Sequence, residues 1–211
     1  SFLKNHMITP KEFRSKHIGS FLEEKIADVY VEYQKRLIEF NAMDFDDLLL
    51  KPIELFTEKK NILQKYKSRF EYLLVDEFQD TNKAQYELLK LLVSRSGLIS
   101  VVGDDAQSIY SWRGANIGNM RDFGKDFPRF QIFKLEQNYR STKMILKAAD
   151  SVIKNNKDQV SKTLWTENEE GEPVMLLKCA DEKDEASQIS KYIKYELTKK
   201  KLVFNDFAIL Y

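Results

Sequence analysis

The sequence predicts an α/β fold with a largely parallel sheet. Short apolar runs alternate with amphipathic stretches at helical spacing, the pattern of strands joined by crossover helices. Three of the runs end in polar or acidic residues, and in open α/β sheets the C-terminal strand edge is where ligands bind. The composition supports a sizeable core, with 43% hydrophobic and 32% charged residues in 211.

The elements follow in order. Leu22, Ile26, Val29, Tyr33 and Leu37 share one face of an N-terminal helix, with Lys and Glu filling the other. Residues 42–50 follow, and Pro52 is expected to interrupt or restart a helix. Residues 72–75 are a first strand, ending in Asp76-Glu77. Residues 82–94 are helical, with Ala84, Leu88, Leu91 and Leu92 on one side. Residues 98–102 are a second strand, ending in Gly103-Asp104-Asp105. Residues 126–129 mark a boundary between two sheets. Residues 131–135 are a third strand, ending in Glu136-Gln137-Asn138, and residues 142–155 are helical, with Ser141 or Thr142 suited to cap them. Residues 174–177 and 207–210 are further strands. Between them Ala186, Ile189, Ile193 and Leu197 mark another helix. Residues 167–173 read as an acidic surface loop.

Composition excludes several classes. The net charge is +1, from 34 basic and 33 acidic residues, so no general basic coat exists. A local phosphate site needs only a few well-placed cations and stays open. Cys179 is the single cysteine, which rules out an internal disulfide and fits a reducing cytosol. No apolar run reaches membrane-span length, and residues 1–10 hold no signal-peptide core. The chain begins with Ser1 and ends in the apolar run Phe207-Ala208-Ile209-Leu210-Tyr211. That pattern suggests a piece of a longer protein.

Three segments carry chemistry. In Leu73-Leu74-Val75-Asp76-Glu77-Phe78-Gln79-Asp80-Thr81-Asn82 an apolar strand delivers two adjacent carboxylates. The first can hold magnesium, usually through water, and the second can orient or deprotonate an attacking water. An Asp-Glu pair alone fits two solvated acids equally well. In Val102-Gly103-Asp104-Asp105-Ala106-Gln107-Ser108-Ile109-Tyr110-Ser111-Trp112-Arg113-Gly114-Ala115, Gln107 can donate and accept at once and so sense a terminal phosphate. Tyr110 and Trp112 can stack on bases, and Arg113 can pair with phosphate. Each aromatic taken singly also fits a core role. In Leu135-Glu136-Gln137-Asn138-Tyr139-Arg140-Ser141-Thr142, Tyr139 can stack on adenine and Arg140 can steady phosphate charge. Arg140 alone also fits a surface ion pair.

Together and in this order, the three segments closely resemble the second, third and fourth motifs of the UvrD/PcrA/Rep helicases of superfamily 1. Glu32-Tyr33-Gln34-Lys35-Arg36-Leu37, Met43-Asp44-Phe45-Asp46-Asp47-Leu48, Leu164-Trp165-Thr166-Glu167-Asn168 and residues 207–211 extend the likeness over nearly the whole chain. The resemblance implies partial P-loop NTPase (RecA-like) motor domains, behind an N-terminal helical accessory subdomain. Residues 1–40 would belong to that subdomain, 41–130 to the first motor domain, and 131–211 to the second. It also implies ATP and Mg²⁺ as cofactors. Asp76 is then the magnesium-associated carboxylate and Glu77 the catalytic base. Gln107 couples the γ-phosphate to the DNA site, and Tyr110, Trp112 and Arg113 contact single-stranded DNA. Tyr139 packs on adenine and Arg140 touches the γ-phosphate. The implied activity is a cytoplasmic, bacterial-type 3′ to 5′ helicase acting on single-stranded and duplex DNA, alongside repair or replication proteins.

Two departures qualify the likeness. Ala106 stands where many relatives carry an acid. The Gly-x-x-x-x-Gly-Lys-Ser/Thr phosphate loop is missing from the 211 residues, as are the fifth and sixth motifs. These residues alone are therefore expected to be inactive, and uncovered sheet edges would favour a non-native oligomer. Two other readings follow: a non-hydrolysing DNA-binding or interaction module, and the helicase part of a recombination helicase–nuclease. Trp112-Arg113-Gly114-Ala115 favours the UvrD/PcrA/Rep branch over the latter.

Overall fold

A computed structural model describes residues 1–16, 19–94, 97–157, 159–200 and 202–211. They form two compact units. One comprises Ser1–Leu135 with Ile153–Lys162, the other Glu136–Val152 with Thr163–Tyr211.

The first unit opens with α1 (Phe2–Asn5), α2 (Pro10–Lys16) and α3 (Phe21–Glu39). Ser20 starts α3 by accepting the Glu23 N–H through its hydroxyl. The helix is where the periodicity placed it, but its inner face is not the expected one. Ala27 is fully buried and Glu23, Tyr30, Gln34 and Leu37 are half-buried, while Leu22, Val29 and Tyr33 are exposed. Only Leu37 is shared between the two faces. Spacing identifies an apolar stripe but does not say which stripe finds a partner.

Next come α4 (Asp47–Glu58) and α5 (Lys60–Arg69). The expected break at Pro52 does not occur, and α4 runs through it. Pro52 removes a single N–H, while Ile53 and Phe56 in the turn that follows it are buried and hold the helix together. Beneath these helices Lys4 is 3% exposed and donates to Asp44 at 2.7 Å and Asp47 at 2.8 Å. Tyr33 Oη donates to the same Asp44 oxygen at 2.9 Å.

The sheet consists of β1 (Leu73–Val75) and β2 (Ile99–Val101), paired in parallel with Leu73 opposite Ile99 and Val75 opposite Val101. Between them runs α6 (Lys83–Leu92), and after them α7 (Gly118–Asp126). Asn82 caps α6 through a reciprocal capping box with Gln85. Phe78, Tyr86 and Phe123 form the core under the sheet, with Val75, Ile99, Val101, Leu89 and Met120 packed against them. Phe78 meets Tyr86 at 5.8 Å and Phe123 at 5.7 Å, both edge-on.

The second unit holds most of α8 (Lys143–Ile153) and all of α9 (Glu182–Lys200). Thr142 does not cap α8 with its side chain: its Oγ1 is buried without a hydrogen-bond partner. Residues 131–135, 174–177 and 207–210, expected as strands, are not strands. Among the described residues no neighbour supplies a ladder for them, and Phe133, Leu135, Leu176 and Leu210 are exposed. A strand's backbone bonds come from another segment, so an apolar run forms one only where that segment is present. Among the described residues the one pairing near them is a parallel bridge between Gln137 and Trp165. The α/β class and the parallel pairing of the first two strands stand.

Candidate functional site

Two parallel strands end side by side, and this places the first two chemical segments together. Val102 N–H continues the ladder to Val75 O at 2.8 Å, and Phe78 N–H returns to Val102 O at 2.9 Å. Asp76 and Glu77 therefore leave β1 beside Gly103, Asp104 and Asp105 leaving β2. Both acids of the pair are exposed. Glu77 has φ 49°, a left-handed conformation that costs a non-glycine residue about 1–3 kcal/mol. Its N–H is held by Asp76 Oδ1 at 2.9 Å. Phe78 then inserts into the core and anchors the turn Phe78–Asp80.

Gln79 is 1% exposed. It donates to Glu77 Oε2 at 2.7 Å and accepts the Asp104 N–H at 3.0 Å. Asp104 in turn accepts from Gln107 Nε2 at 2.8 Å and from Lys162. Burial pulls the Asp104 carboxyl upward, but the bonds from Lys162 and Gln107 outweigh it and hold the group below its usual range. Lys162 is half-buried between Asp104 and Asp105, and Val160 N–H donates to Asp105 at 2.6 Å.

A second polar network joins the ends of these segments. Asn119 Nδ2 donates to Thr81 O and Thr81 Oγ1, each at 3.0 Å, and Asn116 N–H donates to Thr81 O at 2.9 Å. Asn82 donates to Asn5, which donates to Arg113 O at 3.2 Å. Gly114 has φ +92° and lies against Asn5, where a Cβ would approach to 3.1 Å, so only glycine ends the Ser111–Arg113 turn this way. On the outer side of that turn Trp112 is 71% exposed, and Tyr110 is exposed beside it. The Arg113 guanidinium lies 4.6 Å from the Trp112 ring centroid and 5.5 Å from that of Tyr110. None of the three is a core residue.

Tyr139 and Arg140 belong to the second unit, and both are exposed. Asn138 Oδ1 accepts the N–H groups of Arg140 and Ser141 at 3.0 and 2.8 Å. Asn168 donates to the carbonyls of Tyr139 and Ser141 at 3.2 and 3.1 Å. Two asparagines thus clasp the backbone on both sides of Arg140, and the Tyr139 hydroxyl donates to Gln137 at 2.7 Å.

Asp76, Glu77, Gln107, Tyr110, Trp112 and Arg113 are thus gathered in one unit, and Tyr139 and Arg140 in the other. Reading the sequence assigned no task to Gln79, Asp104, Lys162, Asn5 or Asn168. Gln79, Asp104 and Asn168 lie inside the motif segments, and their signal was a polar residue close to a chemical one. Lys162 had no local signal. Exposed carboxylate oxygens, with one Asp76 oxygen tied to its own chain, suit a hard cation held mainly by water and phosphate. No cluster of three or more metal-ligating side chains occurs among the described residues, and such a cation does not require one.

Comparison with known proteins matches residues 1–128 to the UvrD/REP helicase N-terminal domain and residues 133–211 to the UvrD-like helicase C-terminal domain. The ATP-dependent DNA helicase PcrA of Bacillus subtilis is 45% identical over 211 residues, all of this chain and 28% of that protein. PcrA of Staphylococcus aureus is 46% identical over 212 residues, covering all of this chain and 29% of that protein. PcrA of Leuconostoc citreum is 45% identical over 208 residues, or 99% of this chain and 28% of its own length. The chain spans less than a third of the relatives it matches. With a family model covering more than half its length and a second covering most of the remainder, the chain belongs to the UvrD/REP helicase family.

Proposed function

We propose that these residues work within an ATP-driven DNA helicase that moves 3′ to 5′ on single-stranded DNA and unwinds duplex in repair or replication. The observation that carries this reading is the juxtaposition of two strand ends, with Asp76-Glu77 on one and the Gln107 loop on the other. In this reading residues 1–40 are part of a helical accessory subdomain. Residues 41–130 and 131–211 are parts of two RecA-like motor domains, and the setting is the bacterial cytoplasm. No described helix is long and apolar enough to cross a membrane.

The division of labour is the one the family resemblance implies, and side-chain chemistry supports it. Glu77 takes the proton of a water as the water oxygen bonds to the γ-phosphorus of ATP. The bond from that phosphorus to the bridging oxygen breaks, and ADP leaves. Asp76 would hold magnesium through water, and the chemistry the ion supplies is neutralisation of phosphate charge. Arg140 offsets charge on the transferring group, and Tyr139 stacks on adenine. Gln107 reports the γ-phosphate to the turn bearing Tyr110, Trp112 and Arg113, which grips single-stranded DNA by stacking and charge.

Glu77→Gln in the full-length protein is the direct test. It should reduce steady-state ATP hydrolysis by at least about a thousandfold while leaving nucleotide affinity within about threefold. Wild-type turnover by that variant would remove Glu77 from the mechanism.

A further inference from the structure

We propose that Gln79 is a positioning residue that holds the Glu77 carboxylate and ties its orientation to the loop carrying Gln107. The proposal rests on the reading of Glu77 as the hydrolytic base. Among the described residues, Gln79 and Phe78 are the two large side chains buried to below 2% exposure. Phe78 fills the core, whereas Gln79 carries a polar amide into the interior, where each of its groups needs a partner. Its Nε2 donates to Glu77 Oε2 at 2.7 Å and lies 3.4 Å from Asp80 Oδ2. Its Oε1 accepts the Asp104 N–H at 3.0 Å. A carboxylate only accepts and a backbone N–H only donates, so one orientation of the amide satisfies both sides. The main chain joins in, since Ser108 Oγ donates to Gln79 O at 3.3 Å.

The bonds run in sequence. Gln107 Nε2 reaches Asp104 Oδ2 at 2.8 Å, the Asp104 N–H reaches Gln79, and Gln79 reaches Glu77. Movement of the β2 loop is therefore coupled to the carboxylate through the buried Gln79 amide. Gly103 makes the link possible. A Cβ there would stand 2.7 Å from Gln79 Oε1 and 3.2 Å from Gln79 N. Neither glutamate nor methionine reproduces the link at position 79. Glutamate would set a third acid against Glu77 and Asp80 and lose the donor, and methionine would fill the space with neither bond.

The test measures ATP hydrolysis by the full-length protein with and without a saturating single-stranded oligonucleotide, in wild type, Glu77→Gln, Gln79→Met and Gly103→Ala. Gln79→Met should lower the DNA-stimulated kcat by at least about tenfold while the KM for ATP stays within about threefold. Its ratio of stimulated to basal rate should fall toward one. Gly103→Ala, which displaces the Gln79 amide without altering any reacting group, should move both quantities in the same direction. If Gln79→Met does not fold, Gly103→Ala decides on these two readouts. Retention of wild-type kcat and stimulation overturns the proposal. An equal fall in basal and stimulated rates also overturns it, because that is what a purely structural residue produces. Normal turnover by Glu77→Gln overturns the reading of the base and this inference with it. An inactive Glu77→Gln beside a fully active Gln79→Met overturns the inference alone.

Discussion

At Trp112 the ring presents a face to solvent, with the Arg113 guanidinium stacked over it. In the proposed function that face serves single-stranded DNA rather than the core. Trp112→Ala should therefore weaken single-stranded DNA binding by the full-length protein by about 1–3 kcal/mol, roughly five- to 150-fold. Fluorescence anisotropy with a labelled oligonucleotide reads the loss. The midpoint of thermal unfolding should hardly move, as surface substitutions usually stay within about 0.5 kcal/mol. A large fall in thermal stability with unchanged DNA affinity would make Trp112 a structural residue. Candidates of this kind were legible in the sequence only as a set, because Asp76, Glu77, Gln107, Trp112 and Arg140 each fit a plain role singly and were picked out by the three motifs together. Gln79 was not, since its importance lies in being buried between two loops, and burial is a property of the folded chain.

Elements are joined by a different device. Lys4 on α1 reaches Asp44 and Asp47 ahead of and on α4, and its charge is almost wholly removed from water. Removing one partner leaves buried acids uncompensated, so Lys4→Met should destabilise the protein by about 3–5 kcal/mol. Chemical denaturation checks this. Burial pulls Lys4 down, but bonds to Asp44 and Asp47 prevail and raise it above its ordinary 10.5. Burial pulls Asp44 up, but bonds from Lys4, the Asp47 backbone and Tyr33 prevail and lower it below its ordinary 3.8. The Asp44 contribution is thus present above pH 3.8 and lost as acid takes the pH below that value. The Lys4 contribution is present below pH 10.5 and lost as the pH climbs past it. The stability gap between wild type and Lys4→Met should be flat from about pH 5 to 9 and narrow at both extremes. A constant gap down to about pH 2 would contradict the clamp. None of this was legible in the periodicity, because Lys4 and Asp44 lie 40 positions apart.

For the whole molecule, the 211 residues hold no Gly-x-x-x-x-Gly-Lys, which sets an expectation for their activity in isolation. That loop's amides and lysine supply most of the grip on phosphate. The 211-residue chain is expected to show no magnesium-dependent ATP turnover in a coupled phosphate-release assay. Turnover at the rate of the full-length protein would show that the site described here binds nucleotide by other means.

Most helices, the three chemical segments and their order were determined by the sequence itself, because each is a short-range pattern of charge, ring and period. β1 and β2 were legible for the same reason, with acidic punctuation at their ends. The tertiary structure alone decided which face of α3 turns inward and that α4 continues through Pro52. It also decided that three apolar runs have no ladder, and that Glu77, Gln79, Asp104 and Gln107 form one chain of bonds. The physical reason is common to all four. Each depends on what lies across from a residue in space, and a partner tens of positions away leaves no trace in local spacing.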